Sequence, residues 1–213
     1  MNQIKIISFD VEGTLVSHEF SEVLWHEAIP LCYAKKYGID TDRARIITTE
    51  EFEKIGYQRM EWYDAGYWFK RFQLGDPEPV IRSCLDKISY YPEVKEVLSS
   101  LAAHFELIAA SGVPLYLLAY LLKDVEHYFT RVFSATSQYN QLKTPYFYSQ
   151  ICQTMEVEPV RIVHVGDNWN TDFLNPREVG INAFYLDRAG GNSADSLADL
   201  TQLESIVLDE AGS

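Results

Sequence analysis

The chain has 213 residues, with 18 Lys and Arg against 31 Asp and Glu, for a net charge of -13. Hydrophobic residues at 47% and charged residues at 23% exclude a disordered or low-complexity chain and suit one domain, or a domain carrying a substantial insertion. The negative sum repels polyphosphate backbones and anionic membrane surfaces, so neither nucleic acid nor a membrane is an expected partner.

Residues 4–9 are a β-branched and aromatic run ending at Asp10, which predicts a buried strand opening into a Glu-Gly-Thr turn. From residue 16 to 88 the pattern becomes helical. Phe20, Trp25, Ile29, Leu31, Tyr33 and Tyr37 recur at roughly helical intervals and stop at Gly38. Thr48 or Thr49, followed by acidic residues, predicts the capped start of another helix, and residues 61–72 predict an aromatic-rich one. About four helices and no strand are expected in this stretch. Trp62, Tyr63, Tyr67, Trp68, Phe69 and Phe72 occupy many helix faces; they form this segment's own core, or some of them close over a substrate.

After Tyr91-Pro92, helices and short strands alternate. Helices are expected over 93–103, 115–128 and 145–155, and near 176–179; strands over 105–110, 132–135, 162–165 and 183–186. Such alternation implies a Rossmann-like parallel sheet covered on both faces, with right-handed crossovers. The organisation is an α/β core, residues 1–15 and 89–213, interrupted by a helical insertion, residues 16–88. Residues 114–122 read as a buried helix or a dimer-forming one, so the chain is a monomer or a homodimer.

Cys32, Cys84 and Cys152 are an odd number in a chain large enough to need no disulfides, and read as reduced core residues. The residues before Asp10 leave no room for a signal peptide, and the longest apolar stretch, residues 113–122, falls short of the ~20 a membrane span requires. The expectation is a soluble, cytoplasmic protein.

Ligands of open parallel sheets sit at the carboxyl ends of the strands, which here carry Asp10, Ser111 and Asp167. With Glu12 and Asp172 these ends hold four carboxylates, and like charges that close cannot all ionise unaided. A hard divalent cation resolves the repulsion, and the oxygen-rich ligand set suits Mg²⁺. Ser111 and Lys143 add a hydroxyl and an ammonium, and the turns at Gly13-Thr14 and Ser111-Gly112 can aim N–H groups at an oxyanion. Metal, carboxylate nucleophile and anion donors together describe phosphoryl transfer.

Asp10-Val11-Glu12-Gly13-Thr14-Leu15, Ser111, Lys143 and Gly166-Asp167-Asn168 through Asp172 resemble the four ordered motifs of the haloacid dehalogenase superfamily. The helical insertion resembles the cap of its C1-capped subfamily I. The resemblance implies that Asp10 is the nucleophile and a Mg²⁺ ligand, and that Glu12 is the general acid and base, with its carbonyl facing the metal. It further implies that Ser111, Gly112, Thr14 and Lys143 bind phosphate. By the same resemblance Asp167 would bind Mg²⁺ directly, and Asp172 would bind it through water or orient the groups that do. The family usually carries Asp at the Glu12 position, whereas its enolase-phosphatases have a similar Asp-Ile-Glu-Gly-Thr. Lys143-Thr144-Pro145 sets the proline one place later than usual, and Asn175-Pro176 reads as a helix start.

The function implied is Mg²⁺-dependent hydrolysis of a small phosphorylated metabolite through an aspartyl-phosphate. The alternatives are a 2-haloacid dehalogenase, a phosphonatase, a phosphomutase and a non-catalytic binding protein on the same fold.

Overall fold

The computed structural model describes residues 4–190 and 196–211. These form two compact units: Ser17–Ser89, and the remainder on either side of it. The second unit is built on six strands, β1 Ile6–Phe9, β2 Glu106–Ser111, β3 Arg131–Ser134, β4 Ile162–Gly166, β5 Asn182–Leu186 and β6 Ser196–Leu197. They lie in the order β3-β2-β1-β4-β5-β6 with every pair parallel. β1 and β4 are buried throughout, which is why their sequences read as near-continuous apolar runs rather than alternating ones. The chain moves from β1 outward through β2 to β3 and then returns to the other side of β1 as β4. The switch point of this doubly wound sheet therefore falls beside β1, where a ligand crevice opens at the strand ends.

Among the described residues the α-helices are α1 Glu19–Val23, α2 Ile29–Tyr37, α3 Thr41–Ile55, α4 Ala65–Arg71, α5 Glu78–Ser83, α6 Val94–Ala102, α7 Leu115–Leu121, α8 Ala135–Tyr139, α9 Pro145–Thr154, α10 Asn175–Glu178 and α11 Leu200–Ala211. On α6, Val94, Val97, Leu98 and Leu101 are buried, the i, i+3, i+4, i+7 stripe of a core-facing helix, and α6 packs on β2 and α11. Each such side chain contributes roughly 1.5–3 kcal/mol by leaving water. On α9, Phe147, Tyr148, Ile151 and Cys152 share a cluster with Ile6, Ile108, Ala110, Phe133 and Ile162 from four strands. Thr144 caps α9 by accepting from the Phe147 N–H, and Pro145 follows at its first position, where a missing N–H costs nothing.

The unit Ser17–Ser89 is helical and has an aromatic core. Phe52 of α3 sits edge-on to Trp25, Trp62 and Trp68 and beside Phe72, with ring centroids 4.6 to 6.3 Å apart. Trp68, Phe69 and Phe72 are buried, so these aromatics are the unit's own packing. Gly38 ends α2 in the left-handed conformation, φ 66°, which a side chain would disfavour.

Several elements depart from expectation. α3 starts at Thr41 because the Asp40 carboxylate accepts the Arg43 N–H at 2.8 Å; Thr48 lies mid-helix and buried, its hydroxyl donating to the Arg45 carbonyl. α7 stops at Leu121 rather than continuing to Tyr128, because the Tyr90 hydroxyl donates to the Leu121 carbonyl at 2.7 Å. Leu117, Leu118, Leu121 and Leu122 are buried, while Leu115 and Tyr116 are exposed. α10 is not a fresh start at Asn175 but continues a π-helical turn, Trp169–Leu174. α8, β6 and α11 have no counterpart in the sequence reading. Among the described residues, no helix is long and apolar enough to cross a membrane, and the three cysteines are free thiols.

Candidate active site

Three neighbouring strands deliver the site, in the order β2, β1, β4. β1 ends at Asp10, whose N–H is held by the Val165 carbonyl of β4; β2 ends at Ser111, and β4 ends at Gly166 just before Asp167. Asp10, Asp167 and Asp172 each offer an oxygen, all within 4.8 Å of one another. Lys143 reaches into this group from the turn before α9. Its ammonium lies 2.6 Å from Asp10 Oδ1 and also binds Asp172 Oδ1. Lys143 and Asp10 are each 7% exposed and Asp172 is 1% exposed, so this is a cluster of charges largely removed from water. Gly112 lies against the Lys143 stem, since a Cβ there would touch its Cδ at 3.8 Å.

The Lys143 ammonium is shared by Asp10 and Asp172, and Asp167 adds a third carboxylate beside them. The Asp10 carboxyl is raised to about 8, by burial first and by Asp172 and Asp167, against the opposing pull of Lys143. For Asp172 burial also favours the neutral acid, but Lys143 and the His164 hydrogen bond hold it well below the usual carboxylate range. Lys143 pays for its burial and is still held well above its usual value by Asp10 and Asp172. The result is an all-oxygen, carboxylate-rich donor set, which fits a hard divalent cation.

Gly166 makes the approach of the two acids possible. A Cβ at this position would lie 2.5 Å from Asp172 Cγ and 2.9 Å from Asp10 Cβ. Gly166→Ala is therefore expected to separate Asp10 from Asp172 and to lower turnover by about 10²-fold, the scale for an ångström of misplacement. Strain should cost about 1–3 kcal/mol of stability, read as a shift in the denaturation midpoint.

A family model for haloacid dehalogenase-like hydrolases matches residues 4–180. The chain belongs to that family. It is accordingly a hydrolase, and the six-stranded parallel sheet with surrounding helices is the fold of its superfamily. A HAD phosphatase from Thermococcus onnurineus superimposes with a TM-score of 0.85 at 24% identity, over 96% of this chain and 98% of that one. A 2-haloacid dehalogenase from Pseudomonas syringae pv. Tomato gives 0.66 at 20% identity over 98% and 99%. A HAD-superfamily hydrolase of subfamily IA from Geobacter sulfurreducens gives 0.66 at 17% over 96% of each chain. No curated protein sequence matches the chain.

The hydrolase brings Asp10, Lys143, Asp167 and Asp172 into one cluster; other residues singled out in the sequence have different settings. The Glu12 carboxylate is not part of the three-acid group. The Thr14 side chain is fully buried, and its carbonyl accepts from Arg188 Nη2 at 2.7 Å. Gly13 adopts φ 76°, and its N–H is committed to the Val16 carbonyl at 2.7 Å. That corrects the expectation that this N–H is available to an oxyanion: the turn closes on itself before the chain leaves the unit. The Ser111 hydroxyl accepts the Val113 N–H at 3.2 Å, while α7 begins only after Pro114.

Arg188 was not legible as a site residue. It lies beyond the end of β5, donates to the Gly13 and Thr14 carbonyls, stacks 3.5 Å above the Tyr91 ring and pairs with Glu93. It thus ties the turn after Asp10 to the segment where the chain re-enters the unit. Tyr148 and His164, buried against Asp172, and Ser8, buried behind His164, were missed as well. The one available signal was a histidine and a serine inside two otherwise apolar strands.

Proposed function

We propose that this hydrolase is a Mg²⁺-dependent phosphatase that acts on a small phosphate monoester in the cytoplasm through an aspartyl-phosphate on Asp10. The observation that carries the reading is the cluster itself: three carboxylates whose oxygens lie within 4.8 Å of one another, with a buried ammonium shared by two of them. A metal-free displacement on carbon has no need of Asp167, so the third acid favours phosphoryl transfer over dehalogenation. The likeness to a HAD phosphatase over nearly the whole of both chains agrees with this, and free thiols suit a reducing compartment.

Asp10 and Asp167, with the Glu12 carbonyl, would hold Mg²⁺, with Asp172 alongside. Bound there, the cation would supply positive charge, keep Asp10 ionised and neutralise charge on the phosphoryl oxygens. An Asp10 oxygen attacks phosphorus, the ester P–O bond breaks, and Glu12 gives its proton to the leaving oxygen. Glu12 then takes a proton from water, whose oxygen attacks phosphorus and releases inorganic phosphate and the Asp10 carboxylate. Lys143 and Ser111 hold the phosphate oxygens, with Gly112 letting them come close. The net charge of -13 does not bar such an anion, because local charge at the site governs its capture. It does disfavour nucleic acid and anionic membranes.

The test is phosphate release from sugar, nucleotide and small-acid phosphates, with and without Mg²⁺. Metal-independent turnover would sink the reading, and halide release from a 2-haloacid would transfer it to the dehalogenase class. For Glu12, we expect Glu12→Gln to slow an alkyl phosphate about 10²-fold, the range for a positioned acid, but p-nitrophenyl phosphate far less, since that leaving group needs little protonation. Equal slowing of both would remove Glu12 from proton transfer.

A further inference from the structure

Behind the carboxylates lies a polar set that the proposed reaction does not use. Ser8 and His164 are register partners on β1 and β4, on the sheet face that α9 covers with Tyr148. They are 2%, 0% and 1% exposed respectively, in a layer otherwise filled by Ile6, Ile108, Phe133 and Phe147. A polar group left unpaired there would be strongly destabilising.

The partners assign the protons, since the Thr171 carbonyl and the Asp172 carboxylate can only accept. The Tyr148 hydroxyl donates to the Thr171 carbonyl at 2.7 Å, the shortest of its contacts. Its oxygen is then free to accept the His164 Nε2–H at 3.1 Å, which is shared with Asp172 Oδ1 at 3.2 Å. His164 Nδ1 lies 2.9 Å from the Ser8 hydroxyl, so both ring nitrogens have polar partners.

Asp172 is thereby surrounded. Oδ1 takes Lys143 and His164, with the Tyr148 hydroxyl 3.3 Å away as well, and Oδ2 takes the Asn168 N–H at 3.2 Å and the Thr171 hydroxyl at 3.3 Å. A carboxylate offers about four acceptor positions, and all are occupied by the protein's own donors. The two loops are also braced from the other side, where Asn175 Nδ2 donates to the Lys143 carbonyl at 2.6 Å.

We propose that Tyr148 and His164 are positioning residues that lock Asp172 as the fixed counter-charge of Lys143, so that Asp172 orients the lysine toward Asp10 rather than ligating the cation. In catalysis this deepens the phosphatase reading and rests on it; the geometry it asserts does not.

The experiment compares wild type, Tyr148→Phe, His164→Leu and His164→Gln, the last of which keeps an N–H donor near the Nε2 position. With near-UV circular dichroism confirming the fold, Tyr148→Phe and His164→Leu should lower kcat about tenfold, the lower end for such supporting contacts. KM and Mg²⁺ affinity, the latter measured calorimetrically with the metal alone, should stay within about threefold, and His164→Gln should recover most of the rate. In crystals of metal-free His164→Leu, the Lys143 ammonium should leave Asp172. Wild-type kcat in folded Tyr148→Phe would overturn the proposal, as would no rescue by glutamine or Mg²⁺ affinity falling in step with kcat. Should His164→Leu not fold, Tyr148→Phe, which keeps its ring, carries the kinetic and crystallographic tests. If wild type hydrolyses no ester, the phosphatase reading falls, while an unmoved Lys143–Asp172 pair in the variant crystals would separately overturn the positioning role.

Discussion

Asp10→Asn should reduce phosphate release by at least about 10³-fold, the scale for removing a covalent nucleophile. The amide is isosteric and neutral, so the change removes nucleophile and charge without opening a cavity. The Asp10 carboxyl is already raised to about 8, by burial first and by its acidic neighbours, so the folded protein strains against this charge at neutral pH. The variant should therefore be at least as stable as metal-free wild type at pH 8, with Lys143 still paired to Asp172. Stable protein with no turnover is the signature of a chemical role. A variant that loses fold and activity together would make Asp10 a structural acid, and surviving turnover would place the nucleophile elsewhere.

What the sequence reveals of this site follows from how each residue depends on its neighbours in the chain. Asp10, Ser111 and Asp167 are legible because each directly follows a short apolar run, and a polar residue at a strand end marks the mouth of a parallel sheet. The sheet itself is legible for the same reason, since alternating strands and helices admit few arrangements. His164 and Ser8 sit inside such runs, and nothing local says that they face each other across 156 residues. Tyr148 is harder still, because an aromatic residue on the apolar face of α9 reads as packing until its hydroxyl is seen on Thr171. Helix ends show the same division. Gly38 and Asp40 are local signals, and the chain obeys them; the end of α7 is set by Tyr90, 31 residues away, and no local signal records it. Thr48 misled because a threonine before acids also suits a helix interior, where its hydroxyl folds back on the preceding turn.

Lys143→Met should expose the charge of the cluster directly. Methionine keeps the length and much of the bulk of the stem but removes the cation that Asp10 and Asp172 share, and breaking a buried pair in this way costs about 3–5 kcal/mol. The loss should depend on pH with a definite sign. Asp10 already binds its proton more tightly folded than unfolded, with its value raised from 3.8 to about 8. The stability linked to that proton is complete below the unfolded value and is lost as pH rises through about 8. In wild type Asp172 works the other way, because Lys143 and His164 hold it low; without the lysine its carboxyl moves up and adds to the loss. Thermal melts of metal-free Lys143→Met should thus fall more steeply than wild type between pH 5 and pH 8. Mg²⁺ binds the folded state and replaces the missing charge, so it should raise the melting temperature more at pH 8 than at pH 5. Turnover should stay low even with the metal, since Lys143 would also hold the phosphate. A pH-independent loss with no response to Mg²⁺ would mean that the three acids do not need a cation, and the metal-dependent reading of the site would go with it.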